Sequence, residues 1–254
     1  MCFDLDSRPP IEPIAGGALE GGPVVLEGED GARFKAFGAR PANPTGAGIV
    51  ILPDVRGLHP FFEELALRFA ERGVAAVAID YFGRTAGTGS RSPAFEYQPH
   101  VAQIRWDQLS GDIRVGTSYL RSEAGGDPKT TFATGFCLGG RLASLAATLG
   151  LGLSGVIPFY GWPTGASRDM PAPAAVAHDI TCPVLAIYGG ADQGLPAEVR
   201  DAYDNALAEA GVEHRTIVYP NAPHSFFDRK AVEFADEARS AWEATLAFIA
   251  DRTT

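Results

Sequence analysis

Cysteine is scarce: the 254 residues hold only Cys2, Cys137 and Cys182. So odd and sparse a set is no disulfide framework. Neither a Cys-x-x-Cys pair nor a cluster of His with Cys is present, so no metal site is expected. Basic charge is in deficit as well. Asp and Glu number 31 against 21 Lys and Arg, a net charge of −10. A surface of that sign repels phosphates, which disfavours nucleic acid and anionic membranes, and neither is expected as a partner. No stretch of about 18 uninterrupted apolar residues occurs, so no membrane span is expected. Residues 1–6 lack a basic stretch followed by an apolar run, so no signal peptide is expected. A reducing, cytoplasmic setting is the resulting expectation, and it suits free thiols. Internal repeats, low-complexity tracts and linkers are missing too, which predicts a single domain over residues 1–254.

What is present is an alternation. Residues 7–22, rich in Pro and Gly, are expected to be an irregular N-terminal segment wrapping the surface. Val24–Leu26 and Phe34–Phe37 flank Glu29-Asp30-Gly31 and read as a β-hairpin. Short apolar runs at 48–52, 74–79, 156–160 and 184–188 read as buried strands, with further strands at 131–134 and 216–219. Between them lie helical patterns. Phe62, Leu65 and Phe69 recur at helical spacing and stop at Gly73. Further helices are expected at 101–121, 138–148, 196–210 and 229–250, with a long loop at 82–100. Strands alternating with helices predict an α/β fold, a mainly parallel sheet covered on both faces. Such sheets place ligands at the carboxyl ends of their strands.

Three segments at those ends carry chemistry. Gly135-Phe136-Cys137-Leu138-Gly139-Gly140 follows a strand and opens a helix. This is the G-x-S-x-G nucleophile elbow with Cys in place of Ser. The helix N-terminus offers unpaired N–H groups and partial positive charge, which favour a thiolate at Cys137 and later an oxyanion. Asp192, in Tyr188-Gly189-Gly190-Ala191-Asp192, and His224, in Pro220-Asn221-Ala222-Pro223-His224-Ser225-Phe226, each follow their own strand. Alone, Asp192 reads as a turn residue and His224 as a solvated loop residue. Together the three run nucleophile, acid, histidine, the chain order of α/β-hydrolases. Tyr160 and Trp162, after the strand at 156–160, are candidates for lining a substrate pocket or for packing. Tyr81 to Arg84 are candidates for its wall. His59 reads as a helix-start residue, and His100, His178 and His214 read as structural. Cys2 and Cys182 have no elbow and are expected to be inert.

The elbow, Gly189-Gly190-Ala191-Asp192 and Pro223-His224-Ser225-Phe226-Phe227, with Ile51 to Leu58, resemble the dienelactone hydrolase (carboxymethylenebutenolidase) family over about residues 23–250. The resemblance implies an α/β-hydrolase fold and a Cys137–His224–Asp192 triad that opens a small-molecule ester or lactone, with no cofactor. It implies a monomer, with a homodimer as the alternative. It places Asp54 where the family has an acidic residue, usually Glu, that helps activate the thiol; pairing with Arg56 or shaping the pocket are the alternatives. It assigns the oxyanion hole to the backbone N–H groups of Val55 and Leu138. The family holds a substrate carboxylate with an arginine four residues after the histidine. Here that position is Asp228, beside Arg229, and Arg84 and Arg105 are the candidates for a second carboxylate-binding arginine. The substrate is therefore expected to differ from dienelactone, being neutral or bulkier. A thioesterase, acyltransferase or carboxylesterase on the same fold is one alternative. A non-catalytic ligand-binding protein that kept the scaffold is another.

Overall fold

The computed structural model describes residues 7–91, 94–167, 169–228 and 230–253. Cys2 and Arg229 lie outside the described residues. Eight strands form one sheet: β1 (Ala18–Glu27), β2 (Arg33–Pro41), β3 (Ala47–Leu52), β4 (Ala75–Ile79), β5 (Thr130–Phe136), β6 (Gly155–Phe159), β7 (Val184–Gly189) and β8 (His214–Tyr219). Their spatial order is β1-β2-β4-β3-β5-β6-β7-β8. β1 and β2 are a hairpin, and β2 runs antiparallel to β4. From β4 to β8 every neighbouring pair is parallel. The five strands β3 to β7 are covered on both faces by helices, and their residues are buried almost throughout. That burial is why these strands read as unbroken apolar runs. β2 and β8, nearer the sheet edges, alternate in burial.

The connecting helices are α1 (Pro60–Glu71), the short α2 (Gly83–Ala86) and α3 (Gln98–Val101), α4 (Trp106–Leu120), α5 (Leu138–Ala146), α6 (Ala197–Glu209) and α7 (Ala235–Ala250). α1 turns Phe61, Phe62, Leu65 and Phe69 onto the sheet and ends just before Gly73, whose φ of 85° suits glycine. The parallel strands all point the same way, so the segments following β3, β4, β5, β6, β7 and β8 gather at one end of the sheet.

Several boundaries differ from the sequence expectation. Residues 18–22 are not irregular but open β1, with Gly22 opposite Gly38 and Pro23 opposite Phe37. An edge strand tolerates Pro and Gly because only one of its sides is paired. The segment 82–100 is not a uniform loop, since it contains α2 and begins α3. The helix expected from 101 begins at Trp106, because Arg105 is extended (φ −122°, ψ 136°) and the Asp169 carboxylate accepts the Trp106 N–H at 2.9 Å. The last helix begins at Ala235 rather than 229, after turns that start from Ser225 at φ 63°.

Candidate active site

The sharpest local feature is the turn joining β5 to α5. Cys137 sits there at φ 56° and ψ −111°, a backbone state that side-chain-bearing residues rarely adopt. Its neighbours explain how the turn closes. A β-carbon on Gly135 would lie 2.0 Å from the Gly139 carbonyl oxygen, and one on Gly139 would lie 1.9 Å from that of Leu52. Only glycine allows the elbow to pack against itself and against the end of β3. The Cys137 N–H donates to the Phe159 carbonyl at 3.1 Å, which ties the turn to β6. Cys137 is 4% exposed and borders a cleft of about 330 Å³. Val55 and Leu138 border the same cleft, as do Arg141, Trp162 and residues 164–167. The first turn of α5 starts at Leu138, so the positive end of the helix dipole faces the thiol's surroundings.

Asp192 and His224 come together from the segments after β7 and β8. Asp192 Oδ2 lies 2.6 Å from His224 Nδ1, and Asp192 Oδ1 accepts the Gly194 N–H at 2.9 Å. A buried carboxylate can only accept, so Nδ1 carries the proton and Nε2 is the basic nitrogen. The Trp162 ring lies 5.4 Å from the His224 ring, and the Trp162 indole donates to the Gly194 carbonyl at 3.0 Å. Trp162 thus connects the cleft beside Cys137 to the His224–Asp192 pair.

Asp54 directly follows β3 and is fully buried. Its Oδ1 accepts the Arg56 backbone N–H at 2.9 Å. His59 Nε2 lies 3.8 Å from Asp54. Burial, with the Arg56 guanidinium nearby, pushes the His59 pKa down to about 3. The imidazole is therefore neutral at neutral pH, and the approach is no ion pair. His59 precedes α1, the helix-start place read from the sequence. Tyr81 donates to the Pro53 carbonyl at 2.8 Å and so fixes the chain just before Asp54 and Val55. Burial, with Asp54, Asp80 and Cys137 nearby, raises the Tyr81 pKa well above its usual value and keeps this donor protonated.

Two expected substrate contacts are corrected. Tyr160 is fully buried, so it presents no surface to the cleft. Its ring lies 4.8 Å from that of His224, and its hydroxyl donates to Asp228 at 2.7 Å. Asp228, itself buried, thus stands with a tyrosine where the family would have a substrate-binding arginine. Arg84 is held by two carboxylates, Asp112 at 2.6 and 2.9 Å and Asp30 at 2.8 and 2.9 Å. These hydrogen bonds, Asp112's first, raise its pKa further. They draw the guanidinium to a separate small cavity with His100, away from Cys137. Arg105 is exposed and pairs with Asp107. His100 stacks on Phe95, His178 is exposed beside Asp179, and His214 contacts the Val212 carbonyl. Among the described residues no group of three His, Cys, Asp or Glu side chains could hold a metal ion. None of their helices is long and apolar enough to cross a membrane.

Sequence reading missed two buried groups. Asp80, just after β4, accepts the N–H groups of Leu58 and Phe82 and pairs with Arg91 at 2.7 Å. Arg141, one turn into α5, is the cleft's arginine. Its position beside the elbow glycines was the available signal.

A mainly parallel sheet, with a strained elbow after its fifth strand and a hydrogen-bonded Asp–His pair after its last two, defines an α/β-hydrolase. Within that class the chain belongs to the dienelactone hydrolase family, whose model matches residues 34–252. A Yersinia pestis protein provisionally named carboxymethylenebutenolidase is 31% identical over 222 residues, covering 85% of this chain and 83% of its own. The carboxymethylenebutenolidase of Pseudomonas putida is 28% identical over 233 residues, covering 89% of this chain and 95% of its own. The crystal structure of a provisionally named dienelactone hydrolase from Klebsiella pneumoniae superposes with a TM-score of 0.80 at 26% identity. That match covers 91% of this chain and 98% of the other. The chain is thus a hydrolase of this family.

Proposed function

We propose that this hydrolase cleaves activated carboxylic esters or lactones through Cys137, His224 and Asp192. The observation that carries this reading is the 2.6 Å bond that fixes the His224 tautomer, with the strained Cys137 in the cleft that Trp162 shares. His224 Nε2 takes the Cys137 thiol proton, and Sγ attacks the ester carbonyl carbon. The N–H groups of Val55 and Leu138 donate to the oxyanion. The C–O bond breaks, the leaving alkoxide or enolate takes the proton from His224, and a thioester remains on Cys137. Water then gives a proton to His224 and attacks the thioester. The thiolate departs, and the acid is released. Asp54 assists the first proton removal from its buried place after β3.

Asp228 stands where the resemblance places a substrate-binding arginine. A buried carboxylate held by the Tyr160 hydroxyl gives no bidentate grip on a substrate carboxylate, so a neutral ester suits the site better than an anionic lactone. The test is hydrolysis of 4-nitrophenyl acetate and of a dienelactone by the wild type, Cys137→Ala and Asp54→Asn. The expected result is turnover by the wild type with the aryl ester preferred, a loss of at least 1,000-fold in Cys137→Ala, and about tenfold in Asp54→Asn. Full activity in Cys137→Ala overturns the nucleophile. Wild-type inertness toward both substrates overturns the ester reading.

A further inference from the structure

Arg141 is a buried cation for which the proposed chemistry has no use. It is 4% exposed, and among the described residues no carboxylate pairs with it. Burial lowers its pKa, with no neighbouring charge contributing. Its partners are instead five main-chain carbonyls of one loop. Nη1 donates to Trp162 at 3.0 Å and Thr164 at 3.3 Å. Nη2 donates to Gly165 and Pro171, both at 2.7 Å, and reaches Met170 at 3.4 Å. Among the described residues, the loop between Gly161 and Pro171 has no helix or strand of its own, only an isolated bridge between Ser167 and Met170. Carbonyls need donors, and one side chain supplies them to five carbonyls of this loop; that of Met170 also accepts the Ser167 N–H at 3.3 Å.

The same loop is a wall of the cleft. Trp162, Thr164, Gly165, Ala166 and Ser167 all border it beside Cys137. The wall is also pinned from outside, where Asp169 accepts the N–H of Trp106 at the start of α4. From inside, Arg141 alone spans it from Trp162 to Pro171. We infer that Arg141 is a positioning and specificity-determining residue: it holds the wall formed by residues 162–167 and 169–171 in place beside the cleft and thereby limits the size of ester that fits. Lysine cannot replace it, because three donors on a compact ammonium do not match a planar fork that meets five carbonyls.

This inference rests on Cys137 being the acylated residue, and its test separates the two. 4-Nitrophenyl acetate, butyrate and octanoate are hydrolysed by the wild type, Arg141→Lys and Ala166→Phe, and hydrogen exchange of the 162–171 amides is followed in the same proteins. In Arg141→Lys the octanoate-to-acetate ratio of kcat/KM rises at least tenfold, chiefly through KM, and the wall amides exchange at least tenfold faster. In Ala166→Phe, which narrows the same wall without touching Arg141, the ratio falls at least tenfold. Parallel losses across the three esters with unchanged exchange overturn the inference and leave the ester reading standing. If the wild type hydrolyses no ester, the ester reading fails, and the exchange comparison alone decides whether Arg141 holds the wall. If Arg141→Lys does not fold, an unchanged ratio in Ala166→Phe overturns the wall as the size limit.

Discussion

Two thiols in this fold are almost equally buried, Cys137 at 4% and Cys182 at 6% exposed, yet their surroundings differ. Burial alone pushes the Cys182 pKa up to about 12, which leaves it protonated and inert at neutral pH. Cys137 sits at the N-terminal end of α5, where the helix dipole favours negative charge, and borders an open cleft. Iodoacetamide at pH 8, followed by peptide mapping, is expected to label Cys137 at least 100-fold faster than Cys182. Equal rates would mean that the elbow does nothing for the thiol. The chemistry of Asp192 and His224 is equally local. Each lies in a short turn after its strand, and their pairing follows from the sheet bringing β7 beside β8.

At the scale of elements, the turns after the strands are held by main-chain bonds to one another, such as the Gly190 N–H to the Tyr219 carbonyl at 2.7 Å, and by buried side chains. Asp80 is the clearest case. It receives the Leu58 and Phe82 N–H groups on one side and the Arg91 guanidinium on the other, and Arg91 in turn donates to the Ala86 and Gly87 carbonyls. One ion pair thereby joins the segment that carries Val55 to the segment after β4. Removing the cation leaves a buried carboxylate with only two N–H partners. Arg91→Met is expected to cost about 3–5 kcal/mol, a Tm lower by about 10 °C in a chain of this length. A Tm within 2 °C of the wild type would show that water compensates Asp80 and that the pair is no anchor. These long-range links also explain which elements were legible. Buried strands such as β3 and β7 announce themselves as apolar runs. The start of α4 does not, because it is set by Asp169, 63 residues away. β1 is hidden by Gly21, Gly22 and Pro23, residues that an edge strand accepts.

Across the whole molecule, the candidate nucleophile, acid and base were legible because each occupies a short motif at a strand end, and the alternation of strands and helices places those ends together. The walls were legible only in part: Trp162, a candidate from its place after β6, does border the cleft. Arg84 follows β4 as a wall residue would, but two carboxylates from the hairpin turn and from α4 claim it. Arg141 acts on carbonyls 21 to 30 residues away, and a carbonyl has no signature in the sequence. Net charge does not locate the site. The site depends on how the sheet, the elbow and the loops meet, and Cys137 is the residue proposed to carry the acyl group. Acid-quenching the enzyme within its first turnovers of 4-nitrophenyl acetate, and mapping the mass increase by peptide analysis, tests this directly. One acetyl group, labile to hydroxylamine, is expected on the peptide that contains Cys137. Steady turnover with acetyl on another residue, or with no acetyl-enzyme even when deacylation is slowed, would contradict it.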